Sequence, residues 1–321
     1  MQEDVRGARI LTIVLNPAVD YSSRTEVVRP TRKVRVSHTR RDPGGGGINV
    51  ARVVGRLGGN AETLLMAGGE IGALLERLVR EEGIACQTLQ ISGQTRIGFT
   101  VYEESTGLEY RFVPEGPVVD EAEMAACLEA IENHEAAYVV ASGSLPAGVP
   151  DDTYALMAER AARRGARFVL DTSGAALRAT LEKARVFMVK PSREELEQYV
   201  GEKLDEEGLK HAALEIVERG AAEFVAVTMG ADGGLLVSEK GVLRAPAVHV
   251  RVRSAVGAGD SFVAGMVTAL ARGDAVEAAF RLGIAAGAAA VMTPGTELCR
   301  RDDVFELLGK VAMQDALSAI P

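Results

Sequence analysis

The sequence has no tryptophan, few other aromatic residues and only three cysteines. Aromatic residues make up 4% of the 321 residues, which leaves little material for the stacking platforms that bind single-stranded nucleic acid. The formal net charge of −9 also argues against a nucleic-acid partner. Cys86, Cys127 and Cys299 lie far apart and outside any CxxC spacing, so we expect free thiols in a reducing compartment.

Features that would indicate a membrane protein or a structural metal are also missing. The N-terminus is acidic and has no apolar core of a signal peptide. No segment approaches the ~20 apolar residues that a membrane span needs. The histidines form no pair with the spacing of metal ligands. We therefore expect a cytoplasmic protein without a membrane partner.

Positive charge is concentrated in one segment of this acidic chain. Two acidic residues, Glu26 and Asp42, oppose the cluster. Such a patch favours a small anionic substrate, although a solvated basic loop is the commoner explanation. The cluster consists of Arg24, Arg29, Arg32, Lys33, Arg35, Arg40 and Arg41.

Short apolar runs alternate with longer amphipathic runs along most of the chain. The runs predict strands at 8–15, 61–66, 137–141, 167–170, 186–189 and 224–227, and helices at 48–57, 72–82, 121–133, 152–164 and 209–219. Three more helices are predicted at 261–272, 275–292 and 302–313. This alternation indicates an α/β fold with a mostly parallel sheet that is covered on both faces.

Two stretches, 21–39 and 96–113, instead alternate apolar and polar residues with a period of two. The second stretch has the pattern of a hairpin, with a turn at Ser105-Thr106-Gly107. We expect a small, separate antiparallel sheet that covers an active site or pairs with a second subunit.

The most informative motif is Gly257-Ala258-Gly259-Asp260, which precedes a long apolar helix. Amides at a helix N-terminus carry partial positive charge, and the glycines allow an anion to approach closely. An aspartate there is useful if it accepts a proton from a hydroxyl that attacks a phosphate. An ordinary helix N-cap is the alternative interpretation of Asp260.

A second motif, Pro43-Gly44-Gly45-Gly46-Gly47, leads into a predicted helix. Four consecutive glycines indicate a close backbone approach to a ligand. The spacing does not fit a dinucleotide fingerprint, and the GK[ST] of a P-loop is absent. Asn49 either caps this helix or binds a sugar hydroxyl, and the sequence leaves both open.

Four further turns follow predicted strands. Asp20 comes shortly after the first strand, and the others are at 142–146, 190–195 and 228–233. Any one of them is compatible with a simple turn. Because the carboxyl ends of parallel strands meet at one edge of a sheet, their combination with the Asp260 loop favours a shared crevice.

In this order of motifs, from Ile10 to Asp303, the chain resembles the ribokinase-like PfkB carbohydrate kinases. It is most similar to the minor bacterial 6-phosphofructokinase type, through the all-glycine run, Glu109–Val113 and Gly295–Cys299. The resemblance implies one domain over residues 8–318, a three-layer sandwich with a mostly parallel central sheet. A small antiparallel lid at about 21–39 and 96–113 would form the interface of a homodimer.

The resemblance also implies roles for individual residues. Asp260 would be the catalytic base, and the amides of Gly257, Ala258 and Gly259 would form an anion hole. Asp20, Gly45, Gly46 and Asn49 would bind sugar hydroxyls, with Ser144 also in the substrate site. The substrate's phosphate would be bound by Lys33, Arg35 and Arg96. The nucleotide site would contain Lys190, Ser192, Glu195, Thr228, Gly230 and Gly233. A monovalent cation such as K⁺ would be bound by Ser254, Val256, Ala290, Thr293 and Gly295.

One motif departs from the family pattern. The family's Asn-x-x-Glu motif for Mg²⁺ and phosphate is here Ser192-Arg193-Glu194-Glu195. Glu195 keeps the carboxylate, while Ser192 replaces an amide by a shorter hydroxyl. Mg²⁺ usually retains several waters, so coordination through water tolerates this change.

The predicted function is that of an ATP-dependent sugar-phosphate kinase, most specifically a 6-phosphofructokinase of glycolysis. The alternatives are a tagatose-6-phosphate kinase and a 1-phosphofructokinase. A ribokinase or nucleoside kinase would leave the basic lid residues without a phosphate. A non-catalytic sugar-phosphate sensor would have no use for Asp260. The glycine spacing disfavours a nicotinamide-dependent dehydrogenase.

Overall fold

A computed structural model describes residues 7–315 of the chain. Its strands in chain order are β1 (Ile10–Val14), β2 (Ala18–Thr25), β3 (Ser37–Gly44), β4 (Ala61–Ala67), β5 (Ala85–Gln90), β6 (Arg96–Glu103), β7 (Glu109–Phe112), β8 (Tyr138–Ser142), β9 (Arg167–Asp171), β10 (Val186–Val189), β11 (Ala222–Thr228), β12 (Gly234–Ser238), β13 (Gly241–Ala245) and β14 (Gln314–Asp315).

The helices are longer and alternate with most of the strands. They are α1 (Gly46–Arg56), α2 (Gly69–Glu81), α3 (Glu121–Glu132), α4 (Thr153–Arg163), α5 (Gly174–Lys183), α6 (Arg193–Val200), α7 (Glu206–Glu218), α8 (Ala258–Ala271), α9 (Val276–Ala290) and α10 (Arg301–Leu308). No helix in the described part of the chain is both long enough and apolar enough to cross a membrane.

The large sheet has the strand order β14-β13-β12-β11-β10-β9-β8-β1-β4-β5. It is parallel from β11 to β5 and antiparallel at β12, β13 and β14. Every residue of β1 is buried, because β1 lies inside the sheet and is covered on both faces. In the large sheet, β4 is the next strand after β1 and lies on one side of it, and the later strand β8 lies on the other side. Such a change of direction creates a crevice at the carboxyl ends of the strands.

Two layers of helices cover this sheet, which confirms the predicted three-layer α/β architecture. Leu11 and Ile13 of β1 pack against the side that carries α3, α4, α5, α6 and α7. Ile10 packs on the opposite side with α1, α8, α9 and α10. Successive strand residues point to opposite faces, so one short strand contributes to both cores.

A second, small sheet has the order β3-β2-β6-β7. The predicted antiparallel arrangement is wrong for its central pair: β2 and β6 are parallel, while the outer pairs are antiparallel. The reason is that β3, α1, β4, α2 and β5 intervene, and this long connection brings β6 back in the same direction as β2. The small sheet also extends beyond the predicted stretch, because β2 begins at Ala18 and β3 ends at Gly44.

Several elements differ from the sequence-based prediction. Pro43 and Gly44 belong to β3 and not to a turn, since an edge strand tolerates proline. The last predicted helix ends at Leu308 and not at 313. Helices α5 and α6 and strands β5, β12, β13 and β14 were not predicted, because they are short or follow directly on a neighbouring element.

Helices α8 and α9 pack closely through small residues. A Cβ placed on Gly265 of α8 would lie 2.7 Å from the carbonyl oxygen of Leu282 in α9. A Cβ on Gly283 would lie 2.7 Å from Cγ of Met266. This close approach fixes α8, whose first turn carries Asp260.

We therefore expect Gly265→Ala to destabilise the protein by about 1–3 kcal/mol, the usual cost of overpacking a core. The matched control is Gly55→Ala in α1, where a Cβ would meet no atom within 4 Å. Both changes bring the same intrinsic gain in helix propensity. Urea unfolding of the two variants separates the effects, and equal stabilities would contradict the close α8–α9 packing.

Candidate active site

The crevice at the carboxyl ends of the large sheet contains the start of α8. Gly257 precedes this helix with a φ of 73°, a left-handed conformation that glycine adopts without strain. The first-turn amides of α8 have no carbonyl partner within the helix, so the helix end is electropositive. The predicted anion-hole residues Gly257, Ala258 and Gly259 therefore lie at a site suited to a negatively charged group.

Asp260 lies in this first turn, half-buried, and two side chains bind its carboxylate. Asn49 Nδ2 donates to Oδ2 over 2.9 Å, and Ser142 Oγ donates to Oδ1 over 3.3 Å. Asn49 does not cap α1, whose N-cap is Gly45. The helix-cap role that the sequence left open for Asn49 is thus excluded, and its side chain points to Asp260.

A buried lysine lies beside this carboxylate. Lys190 follows β10, and its Nζ is 3.0 Å from Asp171 Oδ1 at the end of β9. Burial alone would lower the pKa of Lys190, but the charges of Asp171, Glu195 and Asp260 outweigh it, and the pKa is raised. Lys190 therefore stays protonated at neutral pH.

The surroundings of Asp260 raise its pKa, whereas an ion pair alone would lower it. Burial and the charge of Asp171 raise this pKa to about 6, although Asn49, Lys190 and Ser142 favour the ionised form. The carboxylate is ionised at neutral pH and close enough to its pKa to accept a proton.

The glycine run packs directly against these groups. A Cβ on Gly46 would overlap Ser142 Oγ and lie 2.9 Å from Asp260 Oδ1. Gly45 has a φ of 130°, which only glycine adopts readily. The structure thus brings Gly45 and Gly46 into the crevice with Asn49 and Asp260.

Asp20 lies on β2 of the small sheet, beside Gly44 at the start of the glycine run. Cβ atoms at Gly44 and Gly98, on the neighbouring strands, would overlap its carboxylate. Burial raises the pKa of Asp20 against the attraction of Arg111 and Arg96, and the charge of Asp42 adds to the increase.

Two of the predicted phosphate-binding residues lie apart from this group. Lys33 and Arg35 are exposed on the loop between β2 and β3. Among residues 7–315, no side-chain hydrogen bond or ion pair connects either of them to Asp20 or Arg96. Arg96 itself donates from Nη2 to the carbonyl of Asn16 over 2.8 Å and from Nη1 to that of Pro114 over 3.0 Å.

A cavity of about 650 Å³ opens beside the N-terminus of α8. Four of the predicted nucleotide-binding residues line it, and so do Ala258 and Gly259. Apolar side chains, including Val248, Val250 and Val252, also line the cavity. The predicted residues on its wall are Ser192, Thr228, Gly230 and Gly233.

Ser192 and Glu195 form a capping box at the start of α6. Glu195 N donates to Ser192 Oγ over 3.2 Å, and Ser192 N donates to Glu195 Oε2 over 2.7 Å. Burial raises the pKa of Glu195, and the charge of Lys190 opposes the increase. Serine therefore fulfils the capping role that an asparagine would have, and one carboxylate oxygen of Glu195 is not used by the cap.

The residues predicted to bind a monovalent cation come from two adjoining loops. Arg253 N donates to the carbonyl of Val291 over 2.7 Å, which joins the Ser254–Val256 loop to the end of α9. The Thr293 hydroxyl contacts the carbonyls of Ala290 at 2.8 Å and Leu298 at 3.0 Å. Gly295 has a φ of 53°. Residues 7–315 contain no group of three or more His, Cys, Asp or Glu side chains that could hold a metal ion.

Three residues of the site were not assigned a role from the sequence. Asp171 pairs with Lys190, Ser142 lies within hydrogen-bonding distance of both Asp171 and Asp260, and Arg111 acts electrostatically on Asp20. The signal for Asp171 was present, because it follows the predicted strand at 167–170 just as the other crevice residues follow theirs.

Comparison with known proteins agrees with this geometry. The protein is 44% identical over 305 residues to an ATP-dependent 6-phosphofructokinase isozyme 2 of Mycobacterium tuberculosis, covering 93% of this chain and 89% of the relative. It is 35% identical over 305 residues to a 1-phosphofructokinase of Bacillus subtilis, covering 94% and 98%.

Solved structures of Escherichia coli phosphofructokinase-2 have the same fold. The complex with potassium has a TM-score of 0.91 and 36% identity, and the complex with fructose-6-phosphate has 0.89 and 35%. A further structure, with a TM-score of 0.89 and 35% identity, is a tetrameric inhibited form. Each covers 94% of this chain and 99% of the solved chain. Residues 12–303 match the pfkB family carbohydrate kinase model, and the chain belongs to this family.

Proposed function

We propose that this protein is an ATP-dependent 6-phosphofructokinase, which transfers the γ-phosphoryl group of ATP to the C1 hydroxyl of fructose 6-phosphate in glycolysis. The observation that carries the proposal is the position of Asp260. Its carboxylate is held by Asn49 and Ser142 at the N-terminus of α8, between the glycine run and the nucleotide-sized cavity.

Phosphoryl transfer depends mainly on positioning and on stabilising negative charge. Asp260 accepts the proton of the attacking hydroxyl, for which a pKa of about 6 is suitable. The amides of Gly257, Ala258 and Gly259 stabilise the charge on the transferred group. Lys190, which remains protonated, adds a fixed positive charge beside the crevice.

The sugar and the nucleotide occupy opposite sides of Asp260 in this proposal. Asp20, Gly45, Gly46 and Asn49 bind the sugar hydroxyls. Arg96, Arg111 and Ser144 bind the phosphate that the sugar already carries. Lys33 and Arg35 reach across the dimer interface to the sugar phosphate bound in the other subunit. Lys190, Thr228, Gly230 and Gly233 bind ATP.

Two cations complete the proposed site. Glu195, with one oxygen outside its capping box, and Ser192 would hold Mg²⁺ through water, and Mg²⁺ would neutralise charge on the ATP phosphates. The loops that carry Ser254, Val256, Ala290, Thr293 and Gly295 would hold K⁺ through backbone oxygens. The joining of these two loops supports that assignment.

A 1-phosphofructokinase is the second candidate, because the Bacillus subtilis relative has that activity in its name. The intact arrangement around Asp260 argues against a non-catalytic sensor. We also propose that residues 8–318 form one cytoplasmic kinase domain, of which 316–318 lie outside the described residues.

A coupled assay of ADP release over fructose 6-phosphate, tagatose 6-phosphate, fructose 1-phosphate, fructose and ribose tests the substrate. We expect the highest kcat/KM with fructose 6-phosphate.

Asp260→Asn should lower kcat by about two to four orders of magnitude with little change in KM. Because burial raises the pKa of Asp260, its ionised form opposes folding above about pH 6, so the amide should not lower Tm at neutral pH. Near-normal turnover of this variant would exclude Asp260 as the base.

The pH profile provides an independent test of the base. Below about pH 6, protonation of Asp260 should reduce kcat/KM about tenfold per pH unit. Asp171 raises the pKa of Asp260, so Asp171→Asn should move this acid limb to lower pH. Initial rates from about pH 5 to about pH 8 measure the shift. An acid limb that stays in place, or moves to higher pH, would contradict the electrostatic role of Asp171.

Exposed aromatic side chains support a homodimer interface on the small sheet. Tyr21, Phe99 and Phe112 are neighbours across β2, β6 and β7 on one face. Phe99 is 48% exposed and Phe112 is 59% exposed, although large apolar side chains are usually covered. We propose that a second copy of this sheet covers the aromatic row, so that the loop with Lys33 and Arg35 can reach the other subunit's substrate.

Phe112→Glu should therefore shift the protein from dimer to monomer and raise KM for the sugar phosphate. The matched control is Leu156→Glu, which places the same charge at an exposed apolar position on α4. Sedimentation velocity at several concentrations measures the oligomeric state. A Phe112→Glu protein that remains dimeric would place the interface elsewhere.

A further inference from the structure

Asn16 lies between β1 and β2, at the edge of the sugar side of the crevice, and contacts three other segments. Its Nδ2 donates to Ser144 Oγ over 3.3 Å and to the carbonyl of Leu145 over 3.4 Å. Its own carbonyl accepts the 2.8 Å hydrogen bond from Arg96 Nη2. One largely buried residue thus contacts both Arg96 and Ser144.

These contacts determine which hydrogens remain available in the crevice. A serine hydroxyl has one hydrogen to donate, and the Ser144 oxygen already accepts from Asn16. The hydrogen of this exposed hydroxyl is therefore available to a ligand. Arg96 uses one hydrogen of Nη1 and one of Nη2 for backbone carbonyls, so each of these nitrogens keeps a second. An anion placed between the two residues would receive charge-assisted hydrogen bonds.

The side chain of Asn16 is held in place at an energetic cost. Its Oδ1 is buried and has no hydrogen-bond partner within residues 7–315. Gly116 packs so closely that a Cβ there would overlap this oxygen. A buried acceptor without a partner is unusual, which indicates that the position of the amide matters more than the satisfaction of Oδ1.

We propose that Asn16 is a positioning residue that fixes Arg96 and Ser144 as a single donor set for the phosphate that the sugar substrate already carries. The inference rests on the proposed function, which supplies that phosphorylated sugar. Asn16 itself does not touch the reacting atoms. It acts on affinity for the phosphorylated sugar and not on the transfer step.

Asn16→Ala removes the amide but keeps the carbonyl that Arg96 contacts. We expect KM and the calorimetric Kd for fructose 6-phosphate to rise about three- to tenfold, the range of one neutral hydrogen bond. The kcat with fructose 6-phosphate, the KM for ATP and the kcat/KM for unphosphorylated fructose should not change. Gly116→Ala should reproduce this pattern because its Cβ displaces the same amide, whereas Gly55→Ala should behave as wild type.

A double-mutant cycle with Ser144→Ala separates positioning from general loosening. If Asn16 acts through Ser144, Asn16→Ala should reduce the binding free energy of fructose 6-phosphate in the Ser144→Ala background by less than half of its effect in the wild-type background. Fully additive changes in binding free energy would overturn the inference. A lowered Tm with equal losses of affinity for ATP and for the sugar phosphate would also overturn it. An unchanged Kd in Asn16→Ala, with tight binding by wild type, would overturn it while the proposed function stands. Wild type that binds no sugar phosphate would overturn both.

Discussion

The balance of charge around Lys190 is the constraint on which the crevice depends. Three carboxyl groups, from Asp171, Glu195 and Asp260, act on this one buried ammonium group. Without it, like charges in a partly desolvated site would take up protons, and a polyphosphate would be repelled. The ion pair with Asp171 also joins the ends of β9 and β10, so the charge balance and the geometry of the crevice have the same origin.

Parallel-sheet geometry explains which parts of the site were predictable. Lys190 and Thr228 were assigned to one crevice because each follows a predicted strand, and they lie at the carboxyl ends of the neighbouring strands β10 and β11 of the large sheet. Asp20 was assigned by the same rule, but it lies within β2 of the small sheet. Asp171 obeys the same rule and was missed, since its importance appears only through the pairing with Lys190 on the adjacent strand. Local pattern therefore locates a residue at the edge but does not identify its partner.

The same limit applies to the small sheet. Alternation with a period of two correctly indicated strands, but it contains no information on strand direction or pairing. The parallel β2–β6 pair, the contact of Asn49 with Asp260 and the effect of Arg111 on Asp20 all join segments that are distant in sequence. Helix propensities and turn residues cannot report such contacts, because they describe the chain only over a few neighbouring positions.

The parallel β2–β6 pair also has a consequence for folding. The two strands are separated in the chain by β3, α1, β4, α2 and β5, and contacts of such long sequence separation form slowly. Asp20 and Arg96, which we propose to bind the sugar phosphate, both lie in this pair, so we expect this part of the crevice to assemble late. A ligand bound there would stabilise that pairing by mass action, so we expect amide hydrogen exchange in β2 and β6 to slow when the sugar phosphate is added.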